Sequence, residues 1–206
     1  MKDQKAILNI ARKTIDSEAA AIENLSSLID ADFAETVSCI LQSEGRVVIS
    51  GIGKSAIIAS KIVATMNSTG TPAIFMHAAD AIHGDLGTIQ KNDVVICISK
   101  SGNTPEIKML VPLIQRGTNT LIGMTGNMDS FLAEKANFVL NTFVEKEACP
   151  NNLAPTTSTT AQLVMGDALA ICLLKLRGFS SKDFAKYHPG GTLGKKLYLT
   201  VGEITT

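Results

Sequence analysis

The chain has 206 residues, of which 45% are apolar and 4% aromatic, enough for one sizeable domain with an aliphatic core. Lys plus Arg and Asp plus Glu each number 19, a balance that excludes nucleic acid as the main partner, because phosphate-backbone binding needs a basic surface. Met1–Lys5 opens onto a polar amphipathic segment rather than a signal peptide, and no run approaches the roughly 20 apolar residues of a membrane span, so a cytoplasmic chain with no membrane partner is expected.

Residues 4 to about 43 read as helix, with Ile7, Ile10, Ala11, Ile15, Ala19, Ile22, Leu25 and Leu28 at helical spacing and a break at Asp30-Ala31-Asp32. Arg46–Ser50 is the first strand. It runs into Gly51-Ile52-Gly53-Lys54-Ser55 and a helix over 56–66, a glycine loop where α/β sheets commonly hold phosphate. The spacing is neither a P-loop nor a full GxGxxG, since Ala56 stands at the third glycine. Pro72–Met76 is the second strand. After it His77, Asp80, His83 and Asp85 invite a metal, but their spacing matches no zinc pattern. The preferred reading has one histidine facing a ligand cleft and the other in a loop, with no metal.

Asp93–Ile98 is a β-branched run of the kind expected for a central parallel strand. Ser99-Lys100-Ser101-Gly102-Asn103-Thr104 then leads into a helix that runs to about Arg116, with Thr104 as the predicted N-cap and Pro105 at the first helical position. Hydroxyls beside the free N–H groups of a helix start suit a phosphate. Strands over 118–125 and 137–141 flank a short helix over 129–135. The hydroxyl run Thr156–Thr160 precedes an apolar helix over 161–176, in which Asp167 needs a structural partner. A short helix from about Asp183 is stopped by His188-Pro189-Gly190-Gly191. Cys39, Cys97, Cys149 and Cys172 have no CxxC spacing and read as reduced structural thiols. The alternation predicts an α/β fold: a Rossmann-like, three-layer αβα sandwich with a five-stranded parallel sheet, preceded by an N-terminal helical arm. One domain over 1–206 is expected, with 1–43 as the arm and 44–206 as the core. Its ligand belongs beyond the carboxyl ends of the strands, where the loops at 51–55 and 99–104 meet.

Ser99-Lys100-Ser101-Gly102-Asn103-Thr104 resembles the phosphate-binding loop of sugar isomerase (SIS) domains. Together with Gly51–Ser55, Glu147-Ala148-Cys149-Pro150, Ala154–Thr160 and His188–Gly191 it resembles the arabinose-5-phosphate isomerase branch of that family. Members of this branch continue into a pair of CBS domains, whereas this sequence ends at Thr206, so CBS-mediated regulation is not carried over.

The resemblance implies interconversion of D-ribulose 5-phosphate and D-arabinose 5-phosphate through an enediolate, with no redox cofactor, nucleotide or metal. It assigns the phosphate grip to Ser99, Ser101, Thr104 and the backbone of Lys100, Gly102 and Asn103, with Ser50, Gly51 and Ser55 nearby. The essential polar residues of the family match Lys54, Glu106, Glu147 and His188. Glu147 is the favoured C1/C2 base if desolvation lifts its pKa towards neutrality. His188 is the natural ring-opening acid/base, with His83 competing for that role. Lys54 suits neutralisation of the enediolate or phosphate, the alternative being a solvated loop lysine. Glu106 either joins the chemistry or only complements a helix dipole. A homo-oligomer, a tetramer with shared active sites, is expected. The rival readings are a sugar-phosphate sensor and an isomerase of another phosphosugar.

Overall fold

The computed structural model describes residues 3–188. Helix α1 (Gln4–Leu25) and helix α2 (Ala31–Gln42) precede the first strand. Asp30, inside the predicted break, is the α2 N-cap, its carboxylate accepting the Phe33 N–H at 3.3 Å. The core follows as β1 (Val47–Gly51), α3 (Lys54–Ser68), β2 (Ala73–His77), α4 (Ala78–Ala81), β3 (Val94–Ile98), α5 (Pro105–Gln115), β4 (Leu121–Thr125), α6 (Phe131–Lys135), β5 (Phe138–Asn141), α7 (Thr157–Leu176) and α8 (Ser181–Tyr187).

All five strands pair in parallel in the order β2-β1-β3-β4-β5. The central strands are buried along their whole length, which is why they read as unbroken apolar runs. Alternate side chains feed two cores. Val47, Ile49, Ile96, Ile98 and Met124 pack under α2, α3 and α7, while Val48, Val95, Cys97 and Leu121 pack under α4, α5 and α6. The expected αβα sandwich is therefore present, with α1 lying outside it against α7. The cysteines are unpaired, as expected.

One expectation is corrected. Helix α7 is long and apolar enough to cross a membrane. It packs instead between α1 and α3, and Asp167 on it pairs with Lys61 of α3 at 2.7 Å, the contacts of a core helix.

The two ends of the sheet differ in how their polar groups are satisfied. At the amino ends, buried Asp93 accepts from Arg46 Nη2 (2.8 Å), the Arg46 N–H (2.7 Å) and the Gln90 N–H (2.8 Å). Burial works to raise the Asp93 pKa, but these donors outweigh it and leave the carboxyl below its ordinary value. Asn119 bridges the Gln90 and Asp93 carbonyls, and Asn137 accepts the first N–H of β4. On β5, an edge strand, the Val139 N–H is taken by the Asp32 carboxylate of α2 at 2.8 Å. The carboxyl ends are less complete. Six buried side-chain polar atoms among the described residues lack a partner, and four of them stand on the segments that leave those ends: Ser50 Oγ, Thr104 Oγ1, Thr142 Oγ1 and Gln162 Nε2. A buried polar atom left unpaired is costly, so its retention points to a partner that is a ligand.

Candidate active site

The loop at 99–104 leaves β3 in the middle of the sheet. The Ser99 N–H donates to the Met124 carbonyl at 3.0 Å, carrying the ladder one residue past β3. The chain then folds back. Gly102 donates its N–H to the Ser99 carbonyl at 3.1 Å with φ of +62°, and a Cβ there would stand 2.0 Å from Ser130 Oγ, so the turn needs glycine twice over. The loop is clamped from the neighbouring connection. The Gly126 N–H and Thr125 hydroxyl donate to the Lys100 carbonyl, the Leu132 N–H to the Gly102 carbonyl, and the Phe131 N–H to Asn103 Oδ1. The Ser99 side chain is buried and Ser101 is exposed.

Thr104 stands at the N-cap position of α5, as expected, but its hydroxyl does not cap the helix. It is buried and unpartnered, so the N–H groups of the first turn of α5 are left for another acceptor. Glu106 lies half-buried in that turn.

The glycine loop runs beside it, since Gly51 ends β1 level with Ile98 of β3. Helix α3 starts at Lys54 with no side-chain cap, and Lys54 is exposed. Ser55 Oγ donates to Gln162 Oε1 of α7 at 3.2 Å. One turn on from Gln162, Gly166 allows the close approach of α3 and α7, since a Cβ there would lie 2.4 Å from the Ile62 side chain.

Glu147 is the most elaborately held side chain of the region. It is buried in the loop after β5, with a side chain 1% exposed. Oε1 accepts from Ser158 Oγ at 2.5 Å and pairs with Lys100 Nζ at 2.7 Å. Oε2 accepts the N–H groups of Thr156 (2.8 Å) and Ser158 (3.1 Å). The Glu147 N–H donates to Asn152 Oδ1, and the Ala148 N–H to the hydroxyls of Thr156 and Thr157. Helix α7 begins at Thr157, earlier than the expected Ala161, so the hydroxyl run is its first turn and faces this carboxylate. The expected direction of the Glu147 pKa is corrected. Desolvation does act to raise it, but the Lys100 ammonium, the Ser158 hydroxyl and the two N–H groups outweigh burial and hold it at about 2.

The two candidate histidines fall in different places. His83 is exposed on the connection after β2 and α4. His77 lies 3.7 Å from Asp80, and among the described residues no three His, Cys, Asp or Glu side chains gather as metal ligands. His188 closes α8, stacked on Phe184 with centroids 3.9 Å apart and with Nδ1 2.9 Å from the Phe184 carbonyl. Its neighbour Tyr187 stacks on Phe179, which packs on Gly70 just before β2. His188 therefore sits at the amino-end side of its own sheet, a helix length of about 30 Å from the start of α7. Pro189-Gly190-Gly191 lies outside the described residues.

Two surface cavities are lined by neither the 51–55 nor the 99–104 loop. One of about 640 Å³ opens at the amino ends of the strands, beside Cys39, Lys91 and Asn119. The other, about 850 Å³, lies between α1 and residues 143–146. The strand carboxyl ends, with their free helix N-terminus and unpaired dipoles, remain the better place for an anionic ligand.

A model of the SIS domain matches residues 40–172. The chain belongs to the SIS domain family. Among curated SIS relatives, arabinose 5-phosphate isomerase KdsD of Pseudomonas aeruginosa is 50% identical over 204 residues, 99% of this chain and 63% of that protein. Arabinose 5-phosphate isomerase KdsD of Francisella tularensis is 50% identical over 200 residues, 96% of this chain and 61% of that protein. The chain thus spans about three fifths of the length of these relatives. Among solved structures, the E. coli CFT073 protein c3406 in complex with arabinose 5-phosphate is similar with a TM-score of 0.88 and 39% identity, covering 91% of this chain and 100% of that one.

Within this SIS fold the sequence-predicted residues divide into groups. Ser50, Gly51, Ser55, Ser99, Ser101 and Thr104 converge on the carboxyl ends of β1 and β3, and Lys100 brings Glu147 to them through its side chain. His188 is not brought there by the same chain. Sequence reading gave no site role to Thr156, Ser158 and Gln162. The signal for the first two was the unbroken hydroxyl run ahead of an apolar helix. For Gln162 it was a lone carboxamide in an otherwise apolar segment.

Proposed function

We propose that this chain is an aldose–ketose isomerase that interconverts D-ribulose 5-phosphate and D-arabinose 5-phosphate and supplies Kdo biosynthesis in the cytoplasm. The observation that carries the reading is the buried Glu147 carboxylate, 2.7 Å from the ammonium of a phosphate-loop lysine. A sensor needs the loop but no desolvated carboxylate beside it. The 50% identity to arabinose 5-phosphate isomerases and the similarity to a complex with arabinose 5-phosphate support the choice of substrate.

In this mechanism the phosphate docks on Ser99, Ser101, Thr104, Ser50, Ser55 and the N–H groups opening α5, using binding energy on a part of the substrate that does not react. From the ketose side, Glu147 takes a proton from C1 as the C2 carbonyl becomes the enediolate oxygen. Return of a proton to C2, with transfer of the hydroxyl proton from O1 to O2, leaves the C1 aldehyde. Lys54 offsets the developing negative charge. Ring opening is needed only from the arabinose side, because the C5 oxygen of ribulose 5-phosphate carries the phosphate and cannot close a furanose.

His188 serves this step from a neighbouring subunit of a homotetramer, with His83 as the alternative within the chain. The position of His188 away from its own cleft supports sharing. So do Ile7, Leu8, Ile10 and Ile15, left about half exposed or more on α1. On this reading residues 44–206 form the core and 1–43 the assembly arm.

The test is a coupled assay with both pentose phosphates on wild type, Glu147→Gln and His188→Ala. Turnover by wild type and its loss in both variants is expected. Binding of either sugar phosphate without turnover by wild type would make the chain a sensor instead.

A further inference from the structure

We propose that Lys100 is a positioning residue that the substrate itself displaces: the incoming phosphate draws its ammonium away from Glu147 and so frees that carboxylate to act as the base. The inference rests on the isomerase reading and adds a coupling between the two ends of the substrate.

Lys100 belongs to both halves of the site. Its backbone is fixed within the phosphate loop, its carbonyl held by the Gly126 N–H at 3.0 Å and by Thr125 Oγ1 at 3.2 Å. Its side chain is 45% exposed, and its ammonium reaches Glu147 Oε1, whose side chain is 1% exposed. The lysine side chain is therefore open to solvent, and so to an anion entering the loop, while the carboxylate is not. A phosphate, as monoanion or dianion, carries at least the charge of the carboxylate on more acceptor oxygens, so docked on this loop it competes for the ammonium.

Among the described residues, Lys100 is the cation that pairs with Glu147. From α7 the carboxylate meets the Ser158 hydroxyl and the Thr156 and Ser158 N–H groups, all neutral, and within its own loop it meets Cys149. Exposed Glu145 and Lys146 lie on the same segment. With Lys100 gone, burial is opposed only by neutral donors, and the carboxylate becomes a stronger base. The empty site keeps a weak base and the filled site a competent one. Protonation is thereby avoided in the resting site, and the base strengthens when C1 is in place.

The experiment follows the carboxyl carbon of Glu147 by NMR in the full chain labelled with 13C-glutamate, the signal assigned by its loss in Glu147→Gln. It is titrated with pH in the absence and presence of saturating inorganic phosphate. Phosphate is expected to raise the Glu147 midpoint by about 1–3 pH units. In Lys100→Met the midpoint is expected to be raised already and to be indifferent to phosphate. Kinetically, the acid limb of kcat/KM, which reports the free enzyme, rises in Lys100→Met towards the limb of kcat, which reports the occupied site.

A wild-type midpoint that phosphate leaves unmoved at saturation overturns the proposal, and needs no Lys100 variant to fold. So does a Lys100→Met protein whose two limbs match those of wild type. The two readings fail separately. Turnover of arabinose 5-phosphate with no phosphate effect on Glu147 removes the coupling and keeps the isomerase. A phosphate effect without turnover of either pentose phosphate removes the isomerase and keeps the coupling.

Discussion

Ser55 Oγ donates to Gln162 Oε1 across 3.2 Å, joining the first turn of α3 to the second turn of α7. The other end of that carboxamide, Nε2, is buried without a partner. An unpaired buried donor costs about 1–3 kcal/mol, so Gln162→Leu removes a cost while it removes the hydrogen bond to Ser55. Calorimetry is expected to place the variant within about 1 kcal/mol of wild type, whereas KM for the pentose phosphate rises at least about tenfold, the equivalent of one lost hydrogen bond. A large loss of stability with unchanged KM would assign Gln162 to the core alone.

Gly102 combines a left-handed backbone with a crowded position, since a Cβ would lie 2.0 Å from Ser130 Oγ and 2.5 Å from Ser130 Cβ. Ser130 caps α6 through the Ala133 N–H. Gly102→Ala is expected to cost about 3 kcal/mol or more, from strain plus a displaced cap, and to abolish phosphate binding. Gly178→Ala is the control: its φ is +66° but nothing lies within 4 Å, so about 1–2 kcal/mol is expected. Chemical denaturation of both variants, with phosphate binding by calorimetry, separates backbone strain from collision.

The Glu147 carboxyl is held at about 2 in the folded chain, against 4.5 as its ordinary value. A carboxyl depressed by folding contributes stability that is present above its unfolded pKa and lost as pH falls through the folded one. The contribution is thus full above about pH 5 and fades between about pH 5 and 2. Urea midpoints measured from pH 7 to pH 3 are expected to fall less steeply in Glu147→Gln than in wild type. Parallel curves would show that the carboxylate is not held as described.

The two acid–base pairs of the sheet flanks are expected to behave unlike each other. Lys61 and Asp167 are 44% and 42% exposed, so Asp167→Asn is expected to cost under about 1 kcal/mol. Asp93 is 1% exposed and pairs with Arg46 by backbone and guanidinium, so Asp93→Leu, which strands a guanidinium and two N–H donors, is expected to cost about 3–5 kcal/mol. Both lie away from the phosphate loop, and kcat of the folded Asp167→Asn protein is expected to match wild type. Denaturation midpoints and steady-state rates check both statements.

The sheet was legible because a strand buried on both faces must be apolar along its length, and Val94–Ile98 is apolar throughout. The turn at 99–104 and the start of α5 were legible because the turn demands Gly102 and Pro105 suits the first helical position. What was hidden depends on contacts distant in sequence. Glu147 and Lys100 are 47 residues apart, and nothing local says that the lysine side chain leaves the phosphate loop to reach the next connection but one. Desolvation of Glu147 was a condition on its role as base, and besides Lys100 the donors that oppose it come from a helix start placed too late in sequence, at Ala161 rather than Thr157. Hydroxyl residues read as a loop were the first turn of a helix, since Ser and Thr favour caps and loops but are tolerated where their hydroxyls serve a neighbour.

Asp32 closes the Val139 N–H on the outer side of β5, and β5 is only four residues long. An edge so short and already occupied offers little template for another strand, one of the ways natural sheets resist growth by strand addition. At this edge, a second copy of the chain is thereby denied a place to extend the sheet. The same carboxylate that docks α2 on β5 guards that edge against the ribbon-like growth to which open sheets are prone.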